Sequence, residues 1–127
     1  MHTPEHFKQT DQDALYEFIQ ESPFASLISN INDSIDADHL PFYFNQSDTQ
    51  KAVLQSHIAK VNPLWKNAAY GQPVLLIFYG PNAYISPNYY PSKQETGMAV
   101  PTWNYSVVHV RGRIYFKQDS DWLLQLM

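Results

Sequence analysis

The sequence has no cysteine, few charged residues and no long apolar run. Without cysteine the chain cannot form a disulfide, a thiolate zinc site or a thiol nucleophile. No segment approaches the roughly 18 apolar residues of a membrane-spanning helix, and residues 1–8 lack the apolar core of a signal peptide. Twelve acidic against eight basic residues give a net charge of −4, which repels a polyanion. We therefore expect a cytoplasmic protein that is not in a membrane and whose direct binding to DNA is doubtful.

Common motifs of catalytic and metal sites are also missing. The serines have no GxSxG elbow for nucleophilic catalysis, and neither GxGxxG nor GxxxxGK(S/T), the signatures of Rossmann and P-loop nucleotide sites, occurs. No close metal-ligand spacing such as HExxH or HxH joins the five histidines, which are His2, His6, His39, His57 and His109. The sequence therefore predicts no metal site.

The chain does have ample material for a hydrophobic core. Hydrophobic residues make up 44% of it and aromatic residues 15%. A chain of 127 residues suits one domain, which buries about two-thirds of the surface that its unfolded form exposes. We therefore expect a single folded domain over residues 1–127.

Most of the chain has the alternating pattern of short strands. The Asn32-Asp33 step marks the turn of a hairpin, Gly80-Pro81 marks a break, and Gly112 marks a bend or bulge in the longest strand. The predicted strands are residues 24–30, 35–44, 52–58, 74–79, 83–86 and 103–116. This number of short strands favours a mainly β fold, a β-barrel with flanking helices, over a parallel α/β sheet.

Helical signals are confined to short segments. Thr10 with Asp13 fits a capping pattern, an apolar stripe follows at helical spacing, and Pro23 ends this first helix. The stripe consists of Ala14, Leu15, Phe18 and Ile19. Asn62 as the N-cap and Pro63 as the first helical residue predict a short second helix that ends at Gly71.

Two predicted loops separate these elements, a polar one at residues 45–51 and a long one at residues 87–101. Four punctuating residues, which are Pro87, Pro91, Gly97 and Pro101, interrupt the long loop. Long loops in compact domains are commonly functional.

One polar cluster, in residues 56–63, suits a phosphate. Lys60, the hydroxyl of Ser56 and amides at the helix start near Asn62 can hold a dianion, because helix N-termini and charge-assisted donors favour one. The alternative interpretation is that Lys60 is a solvated surface charge. The residues alone leave both interpretations open.

A second polar cluster, in residues 101–105, suits a flat ring. Trp103 can cover such a ring and Asn104 can hydrogen-bond its edge. In the alternative interpretation, Trp103 and Tyr105 are core aromatics. For His109, on the same predicted strand, we favour a hydrogen-bonded histidine at a barrel edge.

Six motifs, in order along the chain, resemble those of the PaiB family of negative transcriptional regulators. Together they run through nearly the whole chain, and six ordered motifs are far more specific than any one of them. They are HTPEHF (2–7), ADHLPF (37–42), HIAKVNPLW (57–65), GPNAYISP (80–87), YPSK (90–93) and VPTWNY (100–105).

The resemblance implies an FMN-binding split β-barrel of the pyridoxamine 5′-phosphate oxidase-like type, usually a homodimer with FMN at the subunit interface. It also implies negative transcriptional regulation, described in bacteria for genes of sporulation and degradative enzymes. Family members normally continue beyond the position of Met127, so we expect this chain to be shortened at its C-terminus.

Residues 119–127 begin an apolar helical turn that needs cover, which a dimer partner would supply.

The resemblance also implies which residues bind FMN. Related split barrels hold FMN at the positions of residues 37–42 and 56–62. The expected site has a phosphate part, a part facing the isoalloxazine edge, and a part completed from the other subunit. We expect Lys60 and Ser56, supported by His57 and Asn62, to bind the phosphate. His39 and the backbone around Leu40 would face the isoalloxazine edge. Thr102, Trp103 and Asn104 would complete the pocket from the other subunit.

Two other functions remain open from the sequence. The first is a small flavin reductase or oxidase, because the same barrel supports hydride chemistry and the flavin supplies the reactivity. The second is a haem-binding or haem-degrading split barrel, with His39, His57 or His109 as the axial ligand. The fold alone does not choose among the three functions.

Overall fold

A computed structural model describes residues 1–45, 53–85 and 102–117. These residues form a mainly β structure, as the sequence predicts. Its elements are a 3-10 turn at Glu5–Phe7, α1 at Gln12–Glu21, β1 at Phe24–Ile31, β2 at Ser34–Pro41, β3 at Tyr43–Asn45, β4 at Val53–Gln55, α2 at Leu64–Asn67, β5 at Gln72–Ile85 and β6 at Thr102–Ile114.

Antiparallel pairing builds two sheets. The larger has the strand order β2-β1-β5-β6, so that β2 and β6 are its outer strands, and the smaller pairs β3 with β4. Asn32 and Asp33 form the β1–β2 turn with φ values of 53° and 62°, which are typical of the type I′ turns that match the twist of a hairpin. The hairpin predicted from this dipeptide is confirmed.

The strand predicted at residues 35–44 is divided at Phe42. The amide of Phe42 donates to the carbonyl of Pro23 at 2.9 Å, and its side chain is buried. Phe42 therefore leaves the ladder at the end of β2, and β3 begins with the next residue. β4 also differs from the strand predicted at residues 52–58, since it ends at Gln55.

β5 continues through Gly80 and Pro81, where the sequence predicts a break. These two residues lie opposite Ser106 in a β-bulge, which removes Pro81 from the regular ladder. Gly112 pairs in register with Val74, so the bulge predicted near Gly112 is absent there. The bulge of this strand pair lies on β5, between Tyr79 and Asn82. β5, with 14 residues, is also longer than β6, with 13.

The helix boundaries differ in detail from those predicted. Asp11 rather than Thr10 caps α1, since its Oδ1 accepts the amide of Asp13 at 3.2 Å. Pro63 directly precedes α2 as its N-cap, where Asn62 was expected, although Oδ1 of Asn62 accepts the amide of Leu64 at 2.9 Å. α2 ends at Asn67, and Gly71, with φ of 75°, belongs to the turn before β5. The long loop at 87–101 and the helical turn at 119–127 lie outside the described residues, as does nearly all of the loop at 45–51.

The core lies on one face of the larger sheet. Alternate residues of β1 and β5 point into it, and α1 contributes Ile19. The most buried side chain is Phe78, with no exposed surface. The other buried hydrophobic residues of the cluster are Ala25, Leu27, Phe42, Leu64 and Leu76.

The opposite face of the same sheet, called the open face below, is also rich in large apolar side chains. Their position follows from strand alternation and the observed register. Six of them are between 51% and 74% exposed in the described part of the chain: Phe24, Ile35, Tyr79, Tyr84, Trp103 and Tyr105.

Candidate functional site

One group of predicted site residues lies where β2 meets the segment before α2. The hydroxyl of Ser56 donates to the carbonyl of Pro41 at 2.6 Å, and Nδ2 of Asn62 donates to Oδ1 of Asp38 at 2.9 Å. These two bonds join residues 38–41 to residues 56–62. The structure thus brings together the two segments that the sequence assigns to the cofactor.

Lys60 and His57 are the exposed cationic or polar side chains of this group. The carbonyl of Lys60 accepts the indole N–H of Trp65 at 2.8 Å, and the Asn62 amide donates to Ala59 at 2.9 Å, so the backbone is held in a compact turn. Within the described residues, neither the Lys60 ammonium nor the His57 ring has a hydrogen-bond partner. Both side chains are available to an anion.

The helix start offers less to a phosphate than its sequence suggests. α2 has only four residues, and Asn62 already accepts the amide of Leu64. The proton of Ser56 is also used in its bond to Pro41. An anion here would therefore rely mainly on Lys60, with His57 beside it in the sequence.

His39 and Leu40 point to opposite faces of β2. His39 lies on the open face, where Nδ1 and the hydroxyl of Ser26 form a 3.0 Å hydrogen bond and Phe24 stacks at a centroid distance of 6.5 Å. Leu40 packs against the core. Only the side chain of His39 therefore faces the open surface, while β2 contributes the backbone of Leu40 along an outer edge of the sheet.

Thr102, Trp103 and Asn104 lie on the other outer strand, β6. Three strand-to-strand spacings separate β2 from β6, which is roughly 14 Å. One chain therefore does not bring the two groups of predicted residues together. Within β6, Trp103 faces the open surface and its ring meets Tyr84 at 5.7 Å, whereas Thr102 and Asn104 alternate to the other face.

A groove of about 490 Å³, called the aromatic groove below, surrounds Trp103 on the open face. Its lining is chiefly aromatic and apolar, with a few polar groups. The lining residues that matter here are Ile77, Tyr79, Asn82, Trp103, Tyr105 and His109.

His109 differs from the hydrogen-bonded histidine expected from the sequence. Its Nδ1 atom is buried and has no hydrogen-bond partner in the part of the chain that the structure describes. Burial lowers the pKa of His109 below the usual 6.5, with further contributions from the positive charges of the Met1 amino group and Arg111. The ring is therefore largely neutral at pH 7, and no sequence pattern distinguishes it from the other histidines.

Comparison with known proteins decides which cofactor belongs to this arrangement. The family model described as "Putative FMN-binding domain" matches residues 1–127. The chain belongs to this FMN-binding family. Its antiparallel, mainly β structure with few helices is consistent with the split barrel expected of it.

Curated relatives of this FMN-binding family member come from bacteria and fungi. The chain is 35% identical to the Protease synthase and sporulation protein PAI 2 of Bacillus subtilis (strain 168), over 89% of this chain and 52% of that protein. It is 30% identical to the uncharacterized protein YKL070W of Saccharomyces cerevisiae, over 100% of this chain and 86% of that protein. The chain thus spans about half the length of the Bacillus protein.

The side chains present fit FMN. Its tricyclic ring has apolar faces, which match the aromatic walls of the groove. Its phosphate requires a cation, and Lys60 has an ammonium group without a partner among the described residues. No cluster of three His, Asp or Glu side chains in those residues is placed to hold a metal ion, and neither of the two described α-helices has the length and apolar character to cross a bilayer.

Proposed function

We propose that this FMN-binding protein is a cytoplasmic homodimer that acts as a PaiB-like negative regulator. The relationship to PAI 2 of Bacillus subtilis supports this role, since that protein is named for protease synthesis and sporulation. With a net charge of −4, the chain lacks the electrostatic attraction on which nonspecific DNA binding depends. Regulation would therefore act through another protein rather than through DNA reading by this chain.

One observation carries the homodimer. The predicted cofactor residues form two groups: one lies at the outer strand β2 and in residues 56–62, which are hydrogen-bonded to it, and the other lies on the opposite outer strand, β6. A two-fold axis brings β6 of one copy to β2 of the other and creates two equivalent pockets. It also covers the large apolar side chains that are exposed on the open face, and exposed apolar patches of this kind mark interaction sites.

Each pocket would combine two kinds of contact. Lys60, aided by His57, would hold the phosphate, and Trp103 of the other copy would cover the ring. His39 and the Leu40 backbone would face the ring from the β2 side. Bound FMN supplies hydride and single-electron chemistry, and the protein groups bind it, orient it and exclude water.

The visible spectrum and sedimentation behaviour of the purified protein test this proposal. We expect flavin bands and a dimer at micromolar concentration that binds one FMN per chain. A Soret band would instead indicate the haem-binding alternative, and a compact monomer that binds FMN would contradict the shared pocket. Oxidation of reduced nicotinamide nucleotides by the FMN-loaded protein would favour the flavin reductase.

A mobility shift assay tests the indirect mode of regulation. We expect no sequence-specific complex with DNA at physiological salt, because the chain is acidic and shows no helix-turn-helix pattern. A nanomolar complex that survives an excess of nonspecific DNA would contradict this part of the proposal.

A further inference from the structure

A second groove of about 320 Å³, called the arginine groove below, lies on the open face on the side of the β1–β2 turn. We propose that it binds a small monocarboxylate with an apolar chain, which the second copy encloses when it covers this face. The inference rests on the homodimer proposed above and uses none of the residues assigned to FMN. The open-face residues that line the groove are Ile28, Asn30, Ile35, Pro73, Leu75 and Arg111.

The strand register places Arg111 beside an apolar row. Ile28 pairs with Leu75, and Leu75 pairs with Arg111, so these three side chains share the open face across β1, β5 and β6. Side chains directly opposite each other on one face are close neighbours. The Arg111 side chain therefore begins at the outer edge of an apolar floor.

The Arg111 guanidinium has no hydrogen-bond or ion-pair partner within residues 1–45, 53–85 and 102–117. Its side chain is also exposed. Arg113, the other arginine of the chain, donates from Nη1 to the carbonyl of Gly71 at 2.9 Å. Of the two arginines, Arg111 therefore presents a guanidinium that the described ranges leave unpaired.

The charge of the open face favours an anionic ligand. Strand alternation and register place no Asp or Glu on this face in the described strands, where the permanently charged side chains are Arg111 and Arg113. A second copy that covers the face brings the same strands, which supply no carboxylate to Arg111. An unpaired charge that becomes buried is strongly unfavourable, and a bound anion removes this cost.

The lining of the groove selects a carboxylate with an apolar chain. A planar guanidinium binds a carboxylate through two parallel hydrogen bonds, and one guanidinium balances one negative charge. The Asn30 side chain adds an N–H donor, while Ile28, Ile35 and Leu75 offer apolar contact to the chain. Cofactor and ligand pockets typically measure roughly 300 to 1,000 Å³, so a groove of about 320 Å³ suits a small ligand.

Nuclear magnetic resonance of the unmodified, FMN-saturated protein tests this contact with hexanoate as the probe. Labelling of arginine with nitrogen-15 gives two Nε–H signals, because the chain has two arginines. We expect hexanoate to shift the Arg111 signal and to leave the Arg113 signal in place. Hexanamide, which has the same chain without the charge, and inorganic phosphate, which has the charge without the chain, should each bind roughly tenfold more weakly than hexanoate.

Replacement of Arg111 tests the site by a second route. Arg111→Gln removes the charge and should weaken hexanoate binding by about tenfold or more, with FMN affinity unchanged. Arg113→Gln is the matched control, because Arg113 lies on the same face of β6 outside the groove lining. It should bind hexanoate as the wild type does.

Sedimentation measures whether the second copy encloses the ligand. A ligand held between two copies favours the dimer, so saturating hexanoate should lower the dimer dissociation constant of the wild type and of Arg113→Gln. It should leave that of Arg111→Gln unchanged. Without hexanoate, Arg111→Gln should dimerise more tightly than the wild type, since it buries no unpaired charge.

Four results would overturn the inference: an unshifted Arg111 signal, equal binding of hexanoate and hexanamide, full hexanoate affinity in folded Arg111→Gln, or a wild-type dimer that hexanoate does not strengthen. A dimeric wild-type protein that binds FMN would still support the proposed function in each of these cases. A wild-type protein that remains monomeric would overturn both.

Discussion

At the scale of single residues, Lys60 has the largest share of the proposed phosphate contact. The other groups expected beside it are already engaged: the Ser56 proton with Pro41 and the Asn62 side chain with Asp38 and the Leu64 amide. These bonds fix the turn from which the Lys60 side chain extends. We therefore expect these bonds to contribute mainly by positioning Lys60.

Lys60→Ala should separate the two flavins. Loss of a charge-assisted hydrogen bond costs about 1.5 to 3 kcal/mol, so FMN binding should weaken by roughly ten- to a hundredfold while riboflavin binding stays nearly unchanged. Fluorescence quenching titrations of both flavins measure the difference. Lys66→Ala removes a nearby ammonium that lies 5.3 Å from the Trp65 ring, and it should leave both affinities unchanged. Equal effects of Lys60→Ala on FMN and riboflavin would remove Lys60 from the site.

At the scale of secondary structure, the β5 bulge depends on the missing side chain of Gly80. A Cβ atom at this position would lie 2.7 and 2.8 Å from two ring carbons of Phe18 and 3.2 Å from the Cβ of Ser106. A side chain at position 80 would therefore have to displace the Phe18 ring, through which α1 packs closely over the bulge. Because the same bulge places Tyr79 and Asn82 on one face, the packing of α1 and the form of the aromatic groove are linked.

Gly80→Ala should consequently destabilise the fold. Forcing one extra carbon into close packing costs about 1 to 3 kcal/mol, which urea unfolding followed by circular dichroism can measure. Gly112→Ala is the matched control, because a Cβ atom there meets nothing within 4 Å, and we expect a change of less than about 0.5 kcal/mol. If the two variants had the same stability, the close contact between α1 and the bulge would be refuted.

Elements with strong local signals could be predicted from the sequence. Asn32 and Asp33 tolerate positive φ, so the β1–β2 hairpin follows from its turn alone. The continuity of β5 could not be predicted, because Gly80-Pro81 is ordinarily a turn signal. Here pairing with β6 retains the strand and accommodates both residues in a bulge, which is a tertiary effect that overrides the local preference.

The candidate site was likewise only partly predictable. Residues 37–42 and 56–62 were assigned to one site by resemblance, and hydrogen bonds do join them. The separation of Trp103 from His39 depends on strand order, which long-range pairing of β1 with β5 decides. The burial of Nδ1 of His109 likewise depends on tertiary packing, which no pattern of residue types encodes.

At the scale of the whole molecule, the larger sheet has two apolar faces and only one core. α1 and neighbouring segments cover one face, whereas large side chains on the other remain exposed in the described residues. Sheets bury an apolar face against a second layer. In the proposed homodimer a second copy would provide that layer and place the two halves of the FMN site side by side, so folding, association and cofactor binding would be coupled.

Mixing two defective variants tests the shared FMN site most directly. Lys60→Ala and Trp103→Ala should each bind FMN weakly on their own. If each pocket takes Lys60 from one copy and Trp103 from the other, subunit exchange at equal concentrations yields mixed dimers with one intact pocket, and about a quarter of all sites should recover wild-type affinity. Titration of the mixture with FMN, followed by fluorescence quenching, counts these sites. Recovery of this tight-binding fraction is the result we predict, and a mixture that binds FMN no better than the average of its two components would contradict a site shared between two copies.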